Sequence, residues 1–383
     1  MRLNTIIGVC FFIWTVSCTQ STKKKEVIFA ESNSPSNIQY AKRFSIAKQG
    51  PFTLVYLFGN RANTDTTAAF VLYHDSSGLV QFPRKIQRIK IPCKKVAALS
   101  SIYANMLSEL GALNALAAID NFDYVNNAAI AAKYHQGKLK ELAKMPQIDL
   151  EQSIVLNPDI IFTFGMGEGE KDLDKKLVQT NISVAIIVDH LEQSPLARAE
   201  WIKFFAAFVD KESRADSLFS DLKKNYLELK ELASKTKNAP TVFSEIKYSD
   251  SWYVPGGKSY MAQLLKDAGA DYLWKDDLQF GSLPLSFEQV YSKAKNADFW
   301  INPSSIKTKK ELLSFESRYA QFKAFKTGNI YNNNKVCNNK GYSTYWESGI
   351  LHPNRILSDL IHIFHPELKT TSKSDLNYYQ QIN

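Results

Sequence analysis

The sequence predicts an α/β protein with two lobes, each built on a mainly parallel sheet, that are joined by one long α-helix. First, residues 196–239 contain neither glycine nor proline, while apolar residues recur there at steps of three and four. Second, short apolar strands alternate with helical segments on both sides of this stretch, which predicts parallel sheets covered by helices. Third, a four-residue pattern made of an apolar residue, a helix-capping residue, a second apolar residue and a glutamate occurs once in each half of the chain. Together these observations indicate a helix that connects two bodies of similar build.

The amino-terminal residues are typical of an exported lipoprotein. An apolar run from Ile6 to Trp14 is too short to span a membrane as a helix, and Thr15-Val16-Ser17-Cys18 follows it. This segment resembles the bacterial lipobox, which implies that a signal peptide of residues 1–17 is removed and that Cys18 carries lipid. Residues 18–39 are rich in Ser, Lys, Asn and Thr and predict a lipid-anchored tether. The alternative is an ordinary secreted protein whose cysteine merely lies near the cleavage site.

Residues 40–92 predict a β-rich extension of the first lobe, and residues 93–193 predict that lobe itself. In the extension, Phe52 to Phe58 and Ala69 to Tyr73 are predicted strands bounded by Gly, Asn and Asp. In the lobe, strands and helices alternate, and Asp149 is a predicted N-cap. The predicted elements of the lobe are strands at 96–100, 160–164 and 184–188 and helices at 102–110, at 150–156 and at 173–179.

Residues 194–238 predict the linking helix. Pro195 suits the first turn of a helix, Pro240 stops the run, and Asp210 is a candidate cap for a second segment. The stretch is therefore either one helix or two nearly collinear helices, and it would span roughly 60 Å. A helix of that length is better suited to joining two lobes than to lying inside one. A coiled-coil dimer helix is the alternative, although Glu212 interrupts the apolar stripe.

Residues 239–368 predict a second lobe with the same alternation, and residues 369–383 predict a polar tail. The predicted elements of this lobe are strands at 241–246 and 299–301 and helices at 259–268, 286–293 and 354–364. The box Ile148-Asp149-Leu150-Glu151 of the first half corresponds to Leu285-Ser286-Phe287-Glu288 of the second. Each box places a capping residue before a short helix and a glutamate in its first turn. Two similar lobes across a long helix imply a cleft between them.

Charge and cysteine content narrow the classes of function. The chain has 47 Lys and Arg against 38 Asp and Glu, a net charge of +9, but the basic residues are scattered over predicted helix faces and loops. Without a basic stripe interleaved with aromatic residues, binding of nucleic acid is not expected. Loss of the signal peptide and lipidation of Cys18 would leave Cys93 and Cys337. The sequence leaves open whether these two form a disulfide.

The order of motifs resembles the solute-binding proteins of ABC importers for cobalamin, ferric siderophores and haem, which have the helical-backbone periplasmic binding fold. The resemblance covers about residues 91–368. The segments that carry it are Leu99-Ser100-Ser101, Leu110-Gly111, Asp149-Leu150-Glu151, Asn157-Pro158-Asp159, Ser194 to Ile202, Trp252-Tyr253, Pro255-Gly256-Gly257, Ser286-Phe287-Glu288, Tyr345-Trp346-Glu347 and His365-Pro366-Glu367-Leu368. The β-rich extension looks like that of Bacteroidetes-type lipoproteins.

The resemblance implies a carrier that performs no chemistry of its own. It implies a rigid link that permits only a small opening of the lobes, and a glutamate on each lobe that docks into arginine pockets of a permease dimer with its ATPase. On this sequence those glutamates are Glu151 and Glu288, and two exposed carboxylates suit a two-fold partner. The competing explanation is that each glutamate only complements its own helix dipole. We expect a monomer that is anchored in the cell envelope, faces the periplasm and needs no cofactor.

In folds of this kind the ligand lies at the loops that follow the strands facing the cleft. Mostly aromatic candidate ligand-binding residues occupy these loops: Ser101, Tyr103, Tyr124, Phe164, Gly165, His190, Trp252, Tyr253, Phe280, Tyr345 and Trp346. The set contains no arginine, which favours a mostly neutral ferric siderophore of the hydroxamate type, or cobalamin, over an anionic ferric catecholate. Haem, with His190 and Tyr253 as candidate iron ligands, is the alternative. For each aromatic residue alone, core packing is the competing explanation.

Sequence signatures of enzymes are incomplete in this chain. Gly257-Lys258-Ser259 imitates the end of a phosphate-binding loop, but Trp252 occupies the position where that loop needs a glycine. Residues 165–170 lack the third glycine of a dinucleotide fingerprint. His362 and His365 share a helix face without a nearby carboxylate cluster, so a zinc site is not expected. A surface-anchored hydrolase with dispersed Ser, His and Asp remains the alternative from another class.

Overall fold

The computed structural model describes residues 37–62, 65–79, 82–83, 86–144, 147–173, 175–368 and 376–383. The predicted signal peptide, Cys18 and most of the predicted tether lie outside these residues. Within the described part of the chain, no helix has both the length and the apolar character needed to cross a membrane.

The β-rich extension forms a four-stranded sheet in the order β1-β2-β3-β4. Its strands are β1 (Phe44–Gln49), β2 (Phe52–Phe58), β3 (Thr66–Tyr73) and β4 (Gln87–Lys90). The first three strands pair antiparallel, and β4 joins β3 in parallel. One face of the sheet contributes Val55, Leu57 and Phe70 to a large core that also contains the next sheet. The predicted strands of the extension are thus present, and they pack on the first lobe.

The first lobe is built on a parallel sheet in the order β11-β10-β5-β6-β7. Its strands are β5 (Val96–Ala98), β6 (Leu116–Ile119), β7 (Lys140–Glu141), β10 (Ile160–Phe164) and β11 (Val184–Ile187), and β8 (Ala143–Lys144) and β9 (Gln147–Ile148) form a small hairpin. The helices are α1 (Ser101–Glu109), α2 (Ala128–His135), α3 (Leu150–Leu156) and α4 (Lys175–Val178). The side chain of Asp149 caps α3 by accepting the N–H of Gln152 at 3.0 Å, as predicted.

The link between the lobes consists of three helices rather than one or two. They are α5 (Pro195–Ala199), α6 (Ile202–Val209) and α7 (Glu212–Ser234). Asp210 has a φ of 59° and ends α6 in the left-handed conformation, so it closes a helix instead of opening one. The long helix is therefore α7, whose 23 residues span about 35 Å. The prediction of a long linking helix is confirmed, but its predicted length was too great.

The second lobe is built on a sheet in the order β15-β12-β17-β18-β19, parallel except for β19. Its strands are β12 (Thr241–Ser244), β15 (Asp271–Tyr272), β17 (Phe299–Ile301), β18 (Ile330–Asn332) and β19 (Gln380–Gln381), and a small antiparallel sheet contains β13 (Lys247–Tyr248), β14 (Ser251–Pro255) and β16 (Ser282–Leu285). The helices are α8 (Tyr260–Asp267), α9 (Phe287–Ala294), α10 (Lys309–Phe315), α11 (Lys323–Thr327), α12 (Thr344–Glu347) and α13 (Pro353–Phe364). Ser286 caps α9 through the predicted capping box.

Four strands of each sheet share the same topology, and only the fifth strand differs, being β7 beside β6 in the first sheet and β19 beside β18 in the second. If strands are matched by their order along each half of the chain, β11-β10-β5-β6 corresponds to β18-β17-β12-β15. The capped helices α3 and α9 precede the corresponding strands β10 and β17. The repeated sequence box therefore marks a structural repeat.

Two buried carboxylates fasten the first described residues to the link. The carboxylate of Glu200, at 0% exposure, accepts the main-chain N–H groups of residues 39–41 at 2.7–3.1 Å. The carboxylate of Glu192, at 4% exposure, accepts those of residues 42 and 43 at 2.9 Å. These glutamates lie on either side of α5, and burial raises the pKa of Glu192. The segment 37–43 is consequently held along the link between the lobes.

Replacing Glu200 with alanine should lower the free energy of unfolding by about 3 kcal/mol, because buried main-chain amides would lose their acceptor. The nearly buried ammonium of Lys203, 3.4 Å from Glu200, would also lose one of its partners. Urea unfolding followed by circular dichroism measures the change. Glu231→Ala on α7, which removes an exposed pair with Lys235, is the matched control and should cost less than about 1 kcal/mol. An equal loss in both variants would contradict the assigned role of Glu200.

Candidate functional site

The carboxyl ends of the two parallel sheets face each other. Residues 122–127, which follow β6 of the first lobe, contact residues 338–347, which follow β18 of the second lobe. Loops after parallel strands are where α/β proteins bind ligands. These two sets of loops are where the sequence predicted the ligand-binding site.

On the first lobe, the exposed Phe164 lies against the partly buried His190. Phe164 ends β10 with 38% of its surface exposed, and its ring lies 4.6 Å from the imidazole of His190. Neither imidazole nitrogen has a hydrogen-bond partner in the described part of the structure, and burial lowers the pKa of His190. Gly165 follows Phe164 where a Cβ would lie 2.1 Å from Ile186, so a larger residue does not fit. Both nitrogens of His190 are also buried, so in this structure they are shielded from a ligand in the cleft.

Ser101 and Tyr103, also predicted to bind ligand, have different surroundings. Ser101 is the first residue of α1, directly after the N-cap Ser100, and is partly exposed. Tyr103 is 1% exposed, and its hydroxyl donates to the carboxylate of Asp189 at 3.3 Å. Tyr103 therefore offers no surface to a ligand in this structure and instead holds Asp189 in place.

On the second lobe, three of the predicted aromatic side chains are exposed. Tyr253 is 48% exposed, Phe280 53% and Trp346 56%. The ammonium of Lys258 lies 5.7 Å from the ring centre of Phe280. These rings offer flat apolar surfaces with a polar edge, which suits contact with a large planar or chelated ligand.

Trp252 and Tyr345 do not lie on the surface that the sequence predicted for them. Both are 0% exposed and belong to the core of the second lobe. Along β14 successive side chains point to opposite faces, so Tyr253 faces outward while Trp252 faces the core and donates its indole N–H to the carbonyl of Ser244 at 2.9 Å. Tyr124 packs edge-on against Tyr342 of the second lobe at 4.6 Å and so contacts the other lobe directly.

An arginine that sequence reasoning missed lies at the junction of the lobes. Arg198 on α5 donates from Nε and Nη2 to Asp189 of the first lobe, at 3.2 and 2.7 Å. Its guanidinium also lies 5.2 Å from the ring centre of Tyr260 on α8 of the second lobe. Arg198 lies in the segment from Ser194 to Ile202, which is one of the segments that carry the family resemblance and could have drawn attention to it. An arginine on a predicted helix is ordinarily exposed, however, and the sequence does not show which residue pairs with it. Because Asp189 neutralises it, Arg198 is not a free cation for an anionic ligand.

Three polar residues with a strained backbone follow the strands of the second lobe. Glu245, Asn302 and Ser304 follow β12 and β17 with φ values of 66°, 54° and 55°, a conformation that non-glycine residues seldom adopt. Such strain tends to cluster at ligand sites. Burial raises the pKa of Glu245 to about 8. After β6 of the first lobe, burial raises the pKa of Asp120 to about 6.

Several cavities of the structure lie away from these loops. Cavities of about 210 and 470 Å³ lie side by side between α7 and α13, where they share Asn225, Asn354 and Arg355. A cavity of about 230 Å³ next to His190 is lined by residues 191–194 of the first lobe and by Gln263 of the second. None of the predicted ligand-binding residues lines these three cavities. The predicted surface is thus an open face rather than an enclosed chamber.

The predicted docking glutamates differ in their surroundings. Glu151 is exposed in the first turn of α3, beside Val155 at 86% exposure. Glu288 is exposed in the first turn of α9, where a hydrogen bond from its own main-chain N–H and another from Arg318, at 3.1 Å, lower its pKa. Arg318 also donates to Glu316. Both helices precede a parallel strand, so both glutamates lie towards the edge of the sheets where the strands end.

The described residues contain no group of three or more His, Cys, Asp or Glu side chains that could hold a metal ion. Cys93 and Cys337 are both free thiols, and burial raises the pKa of Cys93 to about 12. The disulfide that the sequence left open is therefore not formed.

The sequence profile of the family described as "periplasmic binding protein" matches residues 96–335. The chain belongs to this family. Two curated relatives of this periplasmic binding protein are uncharacterized lipoproteins of Methanocaldococcus jannaschii. One is 32% identical over 235 residues, which is 61% of this chain and 54% of the relative, and the other is 27% identical over 307 residues, 77% and 75% of the two chains. The chain thus spans about half the length of the first relative.

Solved structures similar to this periplasmic binding protein share its fold. A possible iron-binding solute-binding protein from Staphylococcus epidermidis aligns with a TM-score of 0.56 and 19% identity, covering 72% of this chain and 99% of that one. A periplasmic heme-binding protein from Pseudomonas aeruginosa aligns with a TM-score of 0.57 and 17% identity, covering 76% and 99%. At this level of identity the similarity establishes the fold, with two lobes and a long linking helix.

The stability of this periplasmic binding protein should depend on pH through Glu245. Its pKa is about 8 in the folded protein against an ordinary value of 4.5, so between these values the unfolded chain loses a proton that the folded protein keeps. The free energy of unfolding should therefore fall as the pH rises through this window, by at most about 1.4 kcal/mol per pH unit from this group. Glu245→Gln should flatten the slope, whereas the exposed Glu228→Gln should leave it unchanged. Urea unfolding at several pH values measures both, and parallel slopes for Glu245→Gln and the wild type would exclude this role.

Proposed function

We propose that this protein captures a mostly neutral metal chelate, a ferric siderophore or cobalamin, between its lobes and delivers it to an ABC permease. The observation that carries the proposal is the set of exposed aromatic side chains in two lobes whose parallel sheets turn their carboxyl ends towards each other. Phe164 lies on one side, and Tyr253, Phe280 and Trp346 lie on the other. Flat apolar surfaces of this kind can bind a large ligand without catalysing a reaction on it. The iron-binding and heme-binding proteins with the same fold support this class of ligand.

The charge of the site favours a ligand of low net charge. The guanidinium of Arg198 is already held by Asp189 at 2.7 Å, and the nearby imidazole of His190 is neutral because burial lowers its pKa. An anionic catecholate complex would need several free cations to offset its desolvation. A hydroxamate complex or a corrinoid has no such requirement.

Haem is the second candidate, and one observation favours it. Both nitrogens of His190 lack a hydrogen-bond partner among the described residues, and the ring lies tilted against the exposed Phe164 at 4.6 Å. An unpaired, neutral imidazole can coordinate haem iron, although both buried nitrogens would first have to turn towards the cleft. Direct titration decides between the two ligands.

Purified protein should show saturable quenching of tryptophan fluorescence with cobalamin or a ferric tris-hydroxamate, and weaker quenching with a ferric tris-catecholate. Phe164→Ala and Tyr253→Ala should each weaken binding by roughly 3- to 10-fold, because each removes an aromatic contact. Phe315→Ala removes a similarly exposed ring on α10, away from the cleft, and is the matched control. Saturation by haemin alone, with a Soret shift that His190→Ala abolishes, would favour haem. Turnover of an ester or glycoside would favour the hydrolase.

Delivery requires a partner, and we propose that Glu151 and Glu288 provide the contact. Both carboxylates are exposed in the first turns of corresponding helices at the strand-end edge of their lobes. Two carboxylates at matched places can pair with cations on the two halves of a permease dimer, which acts with its ATPase. We further propose that a monomer is tethered outside the cytoplasmic membrane through lipid on Cys18. The names of the two archaeal relatives, both lipoproteins, support this anchor.

Replacing Glu151 and Glu288 together with alanine should abolish uptake of the ligand while leaving its affinity for the purified protein unchanged. The physical reason is that docking would lose both charge-assisted pairs, while neither residue touches the cleft aromatics. Uptake of radiolabelled cobalamin or iron chelate by cells that express each variant provides the measurement. Asp250→Ala, another exposed acidic site, is the control. Normal uptake by the double variant would exclude the docking role.

A further inference from the structure

A buried carboxylate of the second lobe binds the backbone of the first lobe. Glu347, the last residue of α12, is 2% exposed. Its carboxylate accepts the main-chain N–H groups of Asn126 at 2.8 Å and Asn127 at 3.3 Å. Asn127 is itself the N-cap of α2, and its side chain accepts the N–H groups of Ala129 and Ile130. Glu347 thus binds directly at the amino-terminal end of a helix in the other lobe.

Further contacts join the same two segments. The side-chain amide of Asn338 donates to the carbonyls of Asp123 at 2.8 Å and Val125 at 3.2 Å. The rings of Tyr124 and Tyr342 meet edge to face at 4.6 Å. We call residues 123–127 of the first lobe together with Asn338, Tyr342 and Glu347 of the second lobe the clasp. Tyr124, predicted as a ligand contact, is part of it.

The bonds of Glu347 depend on the distance between the lobes. Burying a carboxylate is costly unless it is hydrogen-bonded, and burial raises the pKa of Glu347 while the bonds from Asn126 and Asn127 lower it. If the lobes separate, the carboxylate and both amides return to water. These charge-assisted bonds therefore exist only when the lobes are closed, and they stabilise that arrangement.

The clasp lies at one end of the cleft, next to the exposed Trp346, whereas Phe164 and Phe280 lie towards the other end. The clasp follows β6 and β18, whereas Phe164 follows β10 and Phe280 follows β15. In the sheet orders β11-β10-β5-β6-β7 and β15-β12-β17-β18-β19, these positions are separated by one or more strands in each lobe. The contacts of the clasp therefore leave the end of the cleft at Phe164 and Phe280 uncovered by Asn338, Tyr342 and Glu347.

We infer that Glu347 is a positioning residue of the cleft, which holds the lobes at the spacing that lets their aromatic faces grip a ligand. Opening the clasp widens the cleft and releases the ligand. The part of this inference that concerns ligand release rests on the proposed function, whereas the part that concerns the spacing of the lobes does not.

The experiment measures the spacing directly in the protein without ligand. Spin labels are placed on Lys171→Cys and Asp276→Cys, two exposed positions after β10 and β15, in a background with Cys93→Ala and Cys337→Ser. Double electron–electron resonance should show a longer and broader distance distribution for Glu347→Gln and Glu347→Ala than for the parent. Asn338→Ala should shift the distribution in the same direction by a smaller amount. Glu231→Gln, an exposed residue of α7, is the matched control.

Ligand kinetics supply the second measurement. Stopped-flow release of whichever chelate saturates the parent protein should be roughly 10-fold faster for Glu347→Gln, because a hydrogen bond to a charged group is lost. Unchanged distances in correctly folded Glu347 and Asn338 variants would overturn the inference. Longer distances in a protein that binds no chelate would support the clasp and contradict the proposed ligand instead. If Glu347→Ala does not fold, Asn338→Ala and Glu347→Gln decide the question.

Discussion

The linking helix α7 is shared by two hydrophobic cores, and the placement of both lobes depends on it. Ala215 and Phe219 in its first half pack in the core of the first lobe, whereas Tyr226 and Ala233 pack in the core of the second. A helix cannot bend sharply without a break in its hydrogen bonds, and α7 has neither glycine nor proline to allow one. Relative motion of the lobes must therefore occur where side chains meet across the cleft and at the joints between α5, α6 and α7.

Those joints are themselves reinforced. The carboxylates of Glu192 and Glu200, on either side of α5, bind the backbone of residues 39–43. Arg198 between them connects Asp189 of one lobe with Tyr260 of the other. The protein thus has buried charges at the junction that are matched by amides or by an opposite charge, and each charge constrains the lobes to one arrangement.

Features with local causes could be predicted from the sequence. The caps Asp149 and Ser286 were visible because a capping side chain bonds to amides two or three residues away. The strand and helix pattern was visible because it follows the spacing of apolar residues along the chain, and the repeated box indicated two lobes of similar build. The family that the motif order suggested is the family to which the chain belongs.

Features that depend on distant partners could not be predicted. Asp210 ends α6 because its backbone turns left-handed, although an aspartate before a helical stretch usually opens a helix. Trp252 is buried and Tyr253 exposed because of the direction in which β14 presents its faces, and that direction depends on its pairing with β16. The partners of Arg198 and Glu347 lie on other elements, and no spacing in the sequence relates them.

If Glu151 and Glu288 dock to a permease as we propose, the ion pair between Glu288 and Arg318 makes the two contacts unequal. Glu288 meets any incoming cation already neutralised, so binding there exchanges one ion pair for another, and Arg318 keeps Glu316 as its remaining partner. Glu151 has no ion-pair partner among the described residues, so contact on that side adds an interaction outright. A carrier that must detach after every delivery is suited by this difference. The contact at Glu288 can break with little loss of free energy while the contact at Glu151 still holds.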